Sequence, residues 1–200
     1  MIKKTKMNSQ NPKNNNQKES QQNKWNKIYT KQMYDNPWIR VSEDMVVNPS
    51  NKPGIYGTIH FKNLAIGIIP IDAEGNTYLV GQYRYPLDIY SWEIPMGGGN
   101  RANDPLESAK RELQEETGFT ANKWTEIATI HTSNSVTDEH GIVYIAEELE
   151  AGETNFDETE DLQIKKVTLA EAVDMVMSDE ITDSISMIGL LKVARLRNIK

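Results

Sequence analysis

Arg111-Glu112-Leu113-Gln114-Glu115-Glu116-Thr117-Gly118 sets three carboxylates at positions i, i+3 and i+4. On a helix, Glu112, Glu115 and Glu116 share one face. Like charges so close repel by roughly a few tenths of a kcal/mol per pair, so a plain surface helix gains nothing by clustering them. A hard divalent cation bound through oxygen reverses that cost. The helix itself is expected on separate grounds. Asp104 reads as its N-cap, Pro105 takes the first helical position, and Glu107 stands where a capping box wants a carboxylate. Gly118 is the natural stop. Leu106, Ala109 and Leu113 recur at helical spacing as a narrow apolar stripe, about 100° around the axis from the acidic cluster.

Upstream, Trp92-Glu93-Ile94-Pro95-Met96-Gly97-Gly98-Gly99 reads as an apolar strand end running into a glycine loop. Three glycines permit close backbone approach and positive φ, which suits a loop that meets a ligand. Taken alone they signal no more than a flexible turn.

Together these residues carry a family resemblance. Gly97, Arg111, Glu112, Leu113, Glu115, Glu116, Gly118 and Phe119 fall at the spacing of the Nudix box, G-x5-E-x7-R-E-U-x-E-E-x-G-U with U apolar. Eight of its nine defining positions match, and the departure is Asn103, where the family usually has Glu. Glu107 lies four residues too late to replace it. The flanks, Gln82-Tyr83-Arg84-Tyr85-Pro86 and Trp92-Glu93-Ile94-Pro95, resemble the ADP-ribose and sugar-nucleotide pyrophosphatase branch. So do Ser133 to Glu139, Glu158 to Leu162 and Glu180 to Ser184, and the resemblance covers about residues 28 to 197.

Composition sets the outer bounds. Two hundred residues with 38% hydrophobic content suit one domain plus a tail. Residues 1 to 24 are almost entirely Lys, Asn, Gln and Ser and are expected to be a disordered polar tail. Residues 25 to 62 are expected to form N-terminal strands and a dimerisation element, and 63 to 200 the Nudix hydrolase domain. No apolar run is long enough to span a bilayer, and no signal-peptide core is visible, so a cytoplasmic protein without membrane partners is expected. The chain has no cysteine, which excludes disulfides and thiolate metal sites. Its net charge of -7 argues against nucleic acid as a partner.

Strands are read from Trp38 to Val47, Ile55 to Phe61, Leu64 to Ile71, Thr77 to Tyr83, Trp124 to Ile130, Ile142 to Ala146 and Leu162 to Val167. Helices follow from about Leu169 to Met177 and from Asp183 to Leu196, the last capped by Thr182. Strands mixed with a few helices imply a sheet between helices. The resemblance specifies an α/β fold, the Nudix α/β/α sandwich with a mixed sheet, preceded by N-terminal antiparallel strands. It also implies a homodimer in which the active site borrows residues from the partner.

The resemblance assigns roles by position. Glu112, Glu115 and Glu116, with the Met96 carbonyl, are the expected ligands of Mg2+, with Mn2+ as the alternative ion. Arg111 is expected to orient those carboxylates. In the acidic segment Phe156 to Asp161, Glu160 resembles a distal metal ligand and Glu158 a general base. Arg84 is the expected fork donor to the diphosphate. Glu93 and Glu139 are candidates for ribose or base hydroxyls, and Trp38 and Arg40 for sandwiching a nucleobase from the partner subunit. His60, His131 and His140 lack helical ligand spacing and point to no zinc site. No phosphate-binding G-x-x-x-x-G-K-[ST] loop and no G-x-S-x-G nucleophile turn occurs.

The implied activity is Mg2+-dependent hydrolysis of a small-molecule nucleotide, a nucleoside diphosphate linked to a sugar. ADP-ribose, cleaved to AMP and ribose 5-phosphate, is the leading substrate. The alternatives are another sugar nucleotide such as GDP-mannose, a nucleoside triphosphate, or a catalytically weakened nucleotide-binding or regulatory module, which Asn103 motivates.

Overall fold

A computed structural model describes residues 23–152 and 162–199. Among these the chain runs β1 (Asn26–Asp35), β2 (Ile39–Val47), β3 (Pro53–Phe61), β4 (Asn63–Pro70), β5 (Asn76–Arg84), β6 (Ile89–Glu93) and β7 (Met96–Asn100). Helix α1 (Pro105–Thr117) follows, then β8 (Phe119–His131), β9 (His140–Ala151), β10 (Gln163–Thr168), α2 (Leu169–Met177) and α3 (Ser184–Arg197).

Alternation along β4 and β9 explains the layers. Leu64, Ile66 and Ile68 of β4 pack with Ile142, Tyr144 and Ala146 of β9 against Ala109 and Leu113 of α1. The intervening Ile69, Val143 and Ile145 pack the opposite way, with Leu169 and Val176 of α2 and Ile185, Leu190 and Val193 of α3. A strand buried on both faces has no polar side, which is why Leu64 to Ile69 reads as a continuous apolar run. The sheet between the helices has the order β7-β4-β9-β8, with β4 parallel to β9 and the other pairs antiparallel. A second sheet, β10-β5-β6, stands beside it, and a third, β1-β2-β3, is antiparallel throughout. This is the mixed α/β sandwich with N-terminal antiparallel strands.

Local readings differ from the structure at four places. The triple glycine is not a loop: Gly97, Gly98 and Gly99 belong to β7 and pair with Ile66, Ala65 and Leu64 of β4. Positive φ is not the reason for them, since Gly75 and Gly118 alone among the described glycines adopt it. Close approach of α1 is, at Gly97 and Gly99. A Cβ on Gly99 would stand 3.0 Å from Ile66 Cγ1 and 3.1 Å from Ser108 Oγ. Strand β1 escapes hydrophobic periodicity because all ten of its residues are exposed. Asp183, not Thr182, caps α3, its carboxylate accepting from Ser186 N. Glu107 does not close a capping box; it pairs with Lys110 one turn on, while Asp104 alone caps α1 through Leu106 N.

The third sheet is fastened to the sandwich by the 132–139 segment. Ile59 N donates to Val136 O at 2.9 Å and Asp138 N to Ile59 O at 3.2 Å. Phe61 N and His60 Nδ1 both reach the Asp138 carboxylate. Although burial works the other way, these bonds hold the Asp138 carboxyl below the usual range. Arg101 adds Nε to Phe61 O and Nη2 to Asp138 O, both at 3.2 Å.

Candidate active site

Helix α1 presents its acids inward. Glu112 is 7% exposed and Glu116 1%, so two carboxylates sit at near-core depth on a helix whose other buried side chains are mostly apolar. Burying a charge is costly unless it is paired and hydrogen-bonded. Glu116 Oε2 accepts from Met96 N at 2.8 Å. Arg111 donates to Glu112 and Glu115 together and, through Nη2, to Gly98 O at 3.0 Å. Burial works against the Arg111 charge, yet the two carboxylates hold its guanidinium more firmly protonated than usual. The arginine thus joins the acidic face of α1 to β7.

Gly97 supplies the space. A Cβ there would come within 2.0 Å of the Glu112 carboxyl carbon and 2.2 Å of both its oxygens. Among the described residues, no three of the histidines, aspartates and glutamates converge closely enough to hold an ion unaided. The donor chemistry fits a hard divalent cation all the same: the Glu112 carboxylate against Gly97, Glu115 and Glu116 on the same helix face, and Glu116 bonded to the Met96 backbone. Glu158 and Glu160 lie outside the described residues.

Arg84, at the end of β5, grips Glu93 at the end of β6 through two parallel bonds, Nε to Oε1 at 2.9 Å and Nη2 to Oε2. The bond to Glu93 raises the Arg84 pKa above its ordinary value; burial opposes the shift, and the charges of Glu93, Asp183 and Glu116 add to it. Glu93 is 2% exposed, whereas the Arg84 side chain remains 36% open.

A cleft of about 390 Å³ opens where Arg84 meets the start of β7, and Gly97 links it to the Glu112 carboxylate behind. Its walls include Trp38, Asn63, Arg84, Met96, Gly97 and Glu139. Glu139 arrives on the fastened 132–139 segment, where the Thr132 hydroxyl donates to its carboxylate. Trp38 comes from the same chain as the other walls, in the turn before β2, where its carbonyl accepts from Lys62 N at 2.9 Å. Arg40 does not join them: it lines a separate surface hollow of the third sheet with Lys27, Gln32 and His60. Asn103 lies in the exposed turn before α1, its backbone N–H donating to Asn100 O at 3.0 Å.

Sequence reasoning missed the Arg101, His60 and Asp138 tie, Asn63 at the cleft, and Ser186, whose hydroxyl oxygen accepts from Ile94 N. All are contacts between residues distant in the chain, and no local pattern announces them. The Nudix spacing from Gly97 to Glu112 did hold one such signal, because a glycine that must clear a carboxylate is itself part of the box.

The family model of the NUDIX domain matches residues 61–184, and the chain belongs to that family. Its similarity lies with the ADP-ribose pyrophosphatase branch. It is 38% identical over 122 residues to the ADP-ribose pyrophosphatase of Bacillus subtilis (strain 168), covering 60% of this chain and 66% of the relative. It is 35% identical over 133 residues to the ADP-ribose pyrophosphatase of Mycobacterium tuberculosis, covering 64% of each. The chain therefore spans just under two thirds of the length of these two enzymes. A longer match, 30% identical over 165 residues and covering 82% of this chain and 89% of the relative, is to the methanol dehydrogenase activator of Bacillus methanolicus. The fold resembles the crystal structure of an ADP compounds hydrolase, with a TM-score of 0.80, 20% identity, and coverage of 88% of this chain and 95% of that one.

Proposed function

We propose that this chain is a divalent-metal-dependent pyrophosphatase that hydrolyses ADP-ribose to AMP and ribose 5-phosphate, using Mg2+ or, alternatively, Mn2+. The observation that carries the reading is the single cleft in which Arg84, Met96, Gly97 and Glu139 meet beside the acidic face of α1. A diphosphate ester needs its phosphoryl charge neutralised and a water delivered in line with the leaving oxygen. A divalent ion held by Glu112, Glu115, Glu116, the Met96 carbonyl and Glu160 would supply charge neutralisation and an acidified water. Glu158 takes the role of general base and Arg111 that of aligning the carboxylates.

Arg84 spends two of its five N–H donors on Glu93, which leaves the rest of the fork for a phosphate oxygen. Glu93 fixes that fork, Glu139 offers a carboxylate to sugar hydroxyls, and Trp38 gives the base a ring to stack on. Arg40 would reach a nucleobase only from a neighbouring subunit. The working form is a cytoplasmic homodimer built on the N-terminal strands.

Turnover of a panel of nucleotide sugars with Mg2+ tests this, with ADP-ribose expected to exceed GDP-mannose and the nucleoside triphosphates. No turnover of any of them sinks the enzyme reading. Asn103 favours a second reading, a nucleotide-binding module with weakened catalysis, in keeping with the activator among the relatives. Tight ADP-ribose binding without hydrolysis, and hydrolysis appearing in Asn103→Glu, would establish that alternative.

A further inference from the structure

We propose that Ser186, oriented by Asp183, is a positioning residue of the metal and diphosphate site: it fixes the turn between β6 and β7 on which Glu93 and Met96 ride. The proposal rests on the hydrolase reading of that site.

Residues 93 to 96 carry much of the chemistry in one short stretch. Glu93 holds Arg84, Met96 N bonds Glu116, and Pro95 O accepts from Ile68 N at 2.8 Å. Between the strands lie Ile94 and Pro95, and a proline has no N–H, so Ile94 N is the sole backbone donor of the turn. It donates to Ser186 Oγ at 3.0 Å, across 92 residues of chain.

The direction of that bond is fixed by what lies behind it. Ser186 is wholly buried, and its hydroxyl has one proton. The proton goes to Asp183 Oδ2 at 2.8 Å, which also accepts from Ser186 N at 2.8 Å. A carboxylate only accepts and an amide N–H only donates, so the Ser186 lone pairs must face Ile94. An ordinary helix cap needs the Asp183 bond to Ser186 N and nothing more. The second bond, and the relay to Ile94, serve the turn.

Seating is equally tight. A Cβ on Gly67 would lie 2.9 Å from Ile185 Cγ2 and 3.0 Å from Ile94 Cδ1, so the first turn of α3 presses directly on β4 and Ile94. Asp183 also adds its negative charge to those of Glu93 and Glu116 around Arg84. One end of α3 therefore sets both the backbone that aims the Met96 carbonyl and the surroundings of the diphosphate arginine.

The test compares Ser186→Ala with Val193→Ala, which removes buried bulk two turns along α3 and leaves the Ser186 hydroxyl that accepts from Ile94 N in place. Mn2+ binding is measured by calorimetry, and kcat and KM for ADP-ribose below the melting temperature. Ser186→Ala should weaken Mn2+ binding and lower kcat by roughly 10-fold each, the size of effect seen when a supporting partner of a metal ligand is lost, with KM little changed. Val193→Ala should lower only the melting temperature. Asp183→Asn, which keeps an acceptor for the hydroxyl, should retain Mn2+ affinity that Asp183→Ala loses, and this pair decides the matter if Ser186→Ala does not fold. Wild-type Mn2+ affinity and kcat in Ser186→Ala, equal losses in Val193→Ala, or no Mn2+ binding by the wild type would overturn the proposal. Wild-type protein that binds Mn2+ but leaves ADP-ribose intact refutes the hydrolase reading instead, and the binding comparison still decides the role of Ser186.

Discussion

Arg84 and Glu93 form a planar two-bond pair whose carboxylate is 2% exposed while the arginine side chain opens to the cleft. Removing one member of such a pair strands the other's charge. Arg84→Ala should therefore destabilise the fold by about 2–4 kcal/mol, read from urea midpoints, whereas Arg84→Met with Glu93→Leu should recover most of the loss. An Arg84→Ala protein as stable as wild type would mean that Glu93 is held by other partners. At Gly97 the constraint is steric. A methyl group in Gly97→Ala must displace the Glu112 carboxylate, since the two would lie 2.0 Å apart. Metal affinity should fall by roughly 10-fold or more, and unchanged Mg2+ titration would remove Glu112 from the site.

Helix α1 was legible because every local signal agrees on it: the Asp104 cap, Pro105 at the first position, the apolar stripe and Gly118 at φ 72°. Its acidic face was legible for the same reason, all three carboxylates lying within five residues. Strand β7 was not, because glycines carry no strand pattern and only the approach of α1 explains Gly97 and Gly99. Strand β1 was hidden by its exposure, and Thr182 competed with Asp183 for the cap of α3 because both are good capping types and only the fold chooses the register. Helix α3 is tied down at its far end by Arg197, which shares Glu147 with Lys123 of β8. The bond from Lys123, with that from Arg197, holds the Glu147 carboxyl below its usual range despite some burial. A lowered folded value means that this contribution is complete above the unfolded value of about 4.5 and fades as pH falls through the folded one. The group is partly exposed, so Glu147→Gln should cost only about 0.5–1 kcal/mol at neutral pH. The gap between variant and wild type should close in acid, and a gap that widens there would reverse the assignment.

Across the whole molecule, the third sheet leaves Trp25, Ile28, Tyr29, Met33, Tyr34 and Ile55 exposed, an unusual concentration of large apolar groups on the solvent side of a small sheet. A two-fold dimer through these strands would cover them. Light scattering should give twice the chain mass, and Ile28→Asp with Met33→Asp should halve it; a wild-type monomer at micromolar concentration would refute the dimer. No helix of the described residues is long and apolar enough to cross a membrane. The fold layers were readable from apolar runs and their spacing, while the cleft was reached only through the resemblance that named Trp38, Arg84, Met96 and Glu139, since it is assembled from the Trp38 turn, β4, β5, β7 and the 132–139 segment by tertiary contacts. If the acidic face of α1 and this cleft form one hydrolytic site, ADP-ribose incubated with Mg2+ is cleaved there, and product analysis reads that cleavage. Wild-type protein should release AMP and ribose 5-phosphate in equal amounts and lose that activity with chelator, and Glu116→Gln should be slower by roughly 10²-fold or more. Intact ADP-ribose with the wild type, or full activity in Glu116→Gln, would contradict the account.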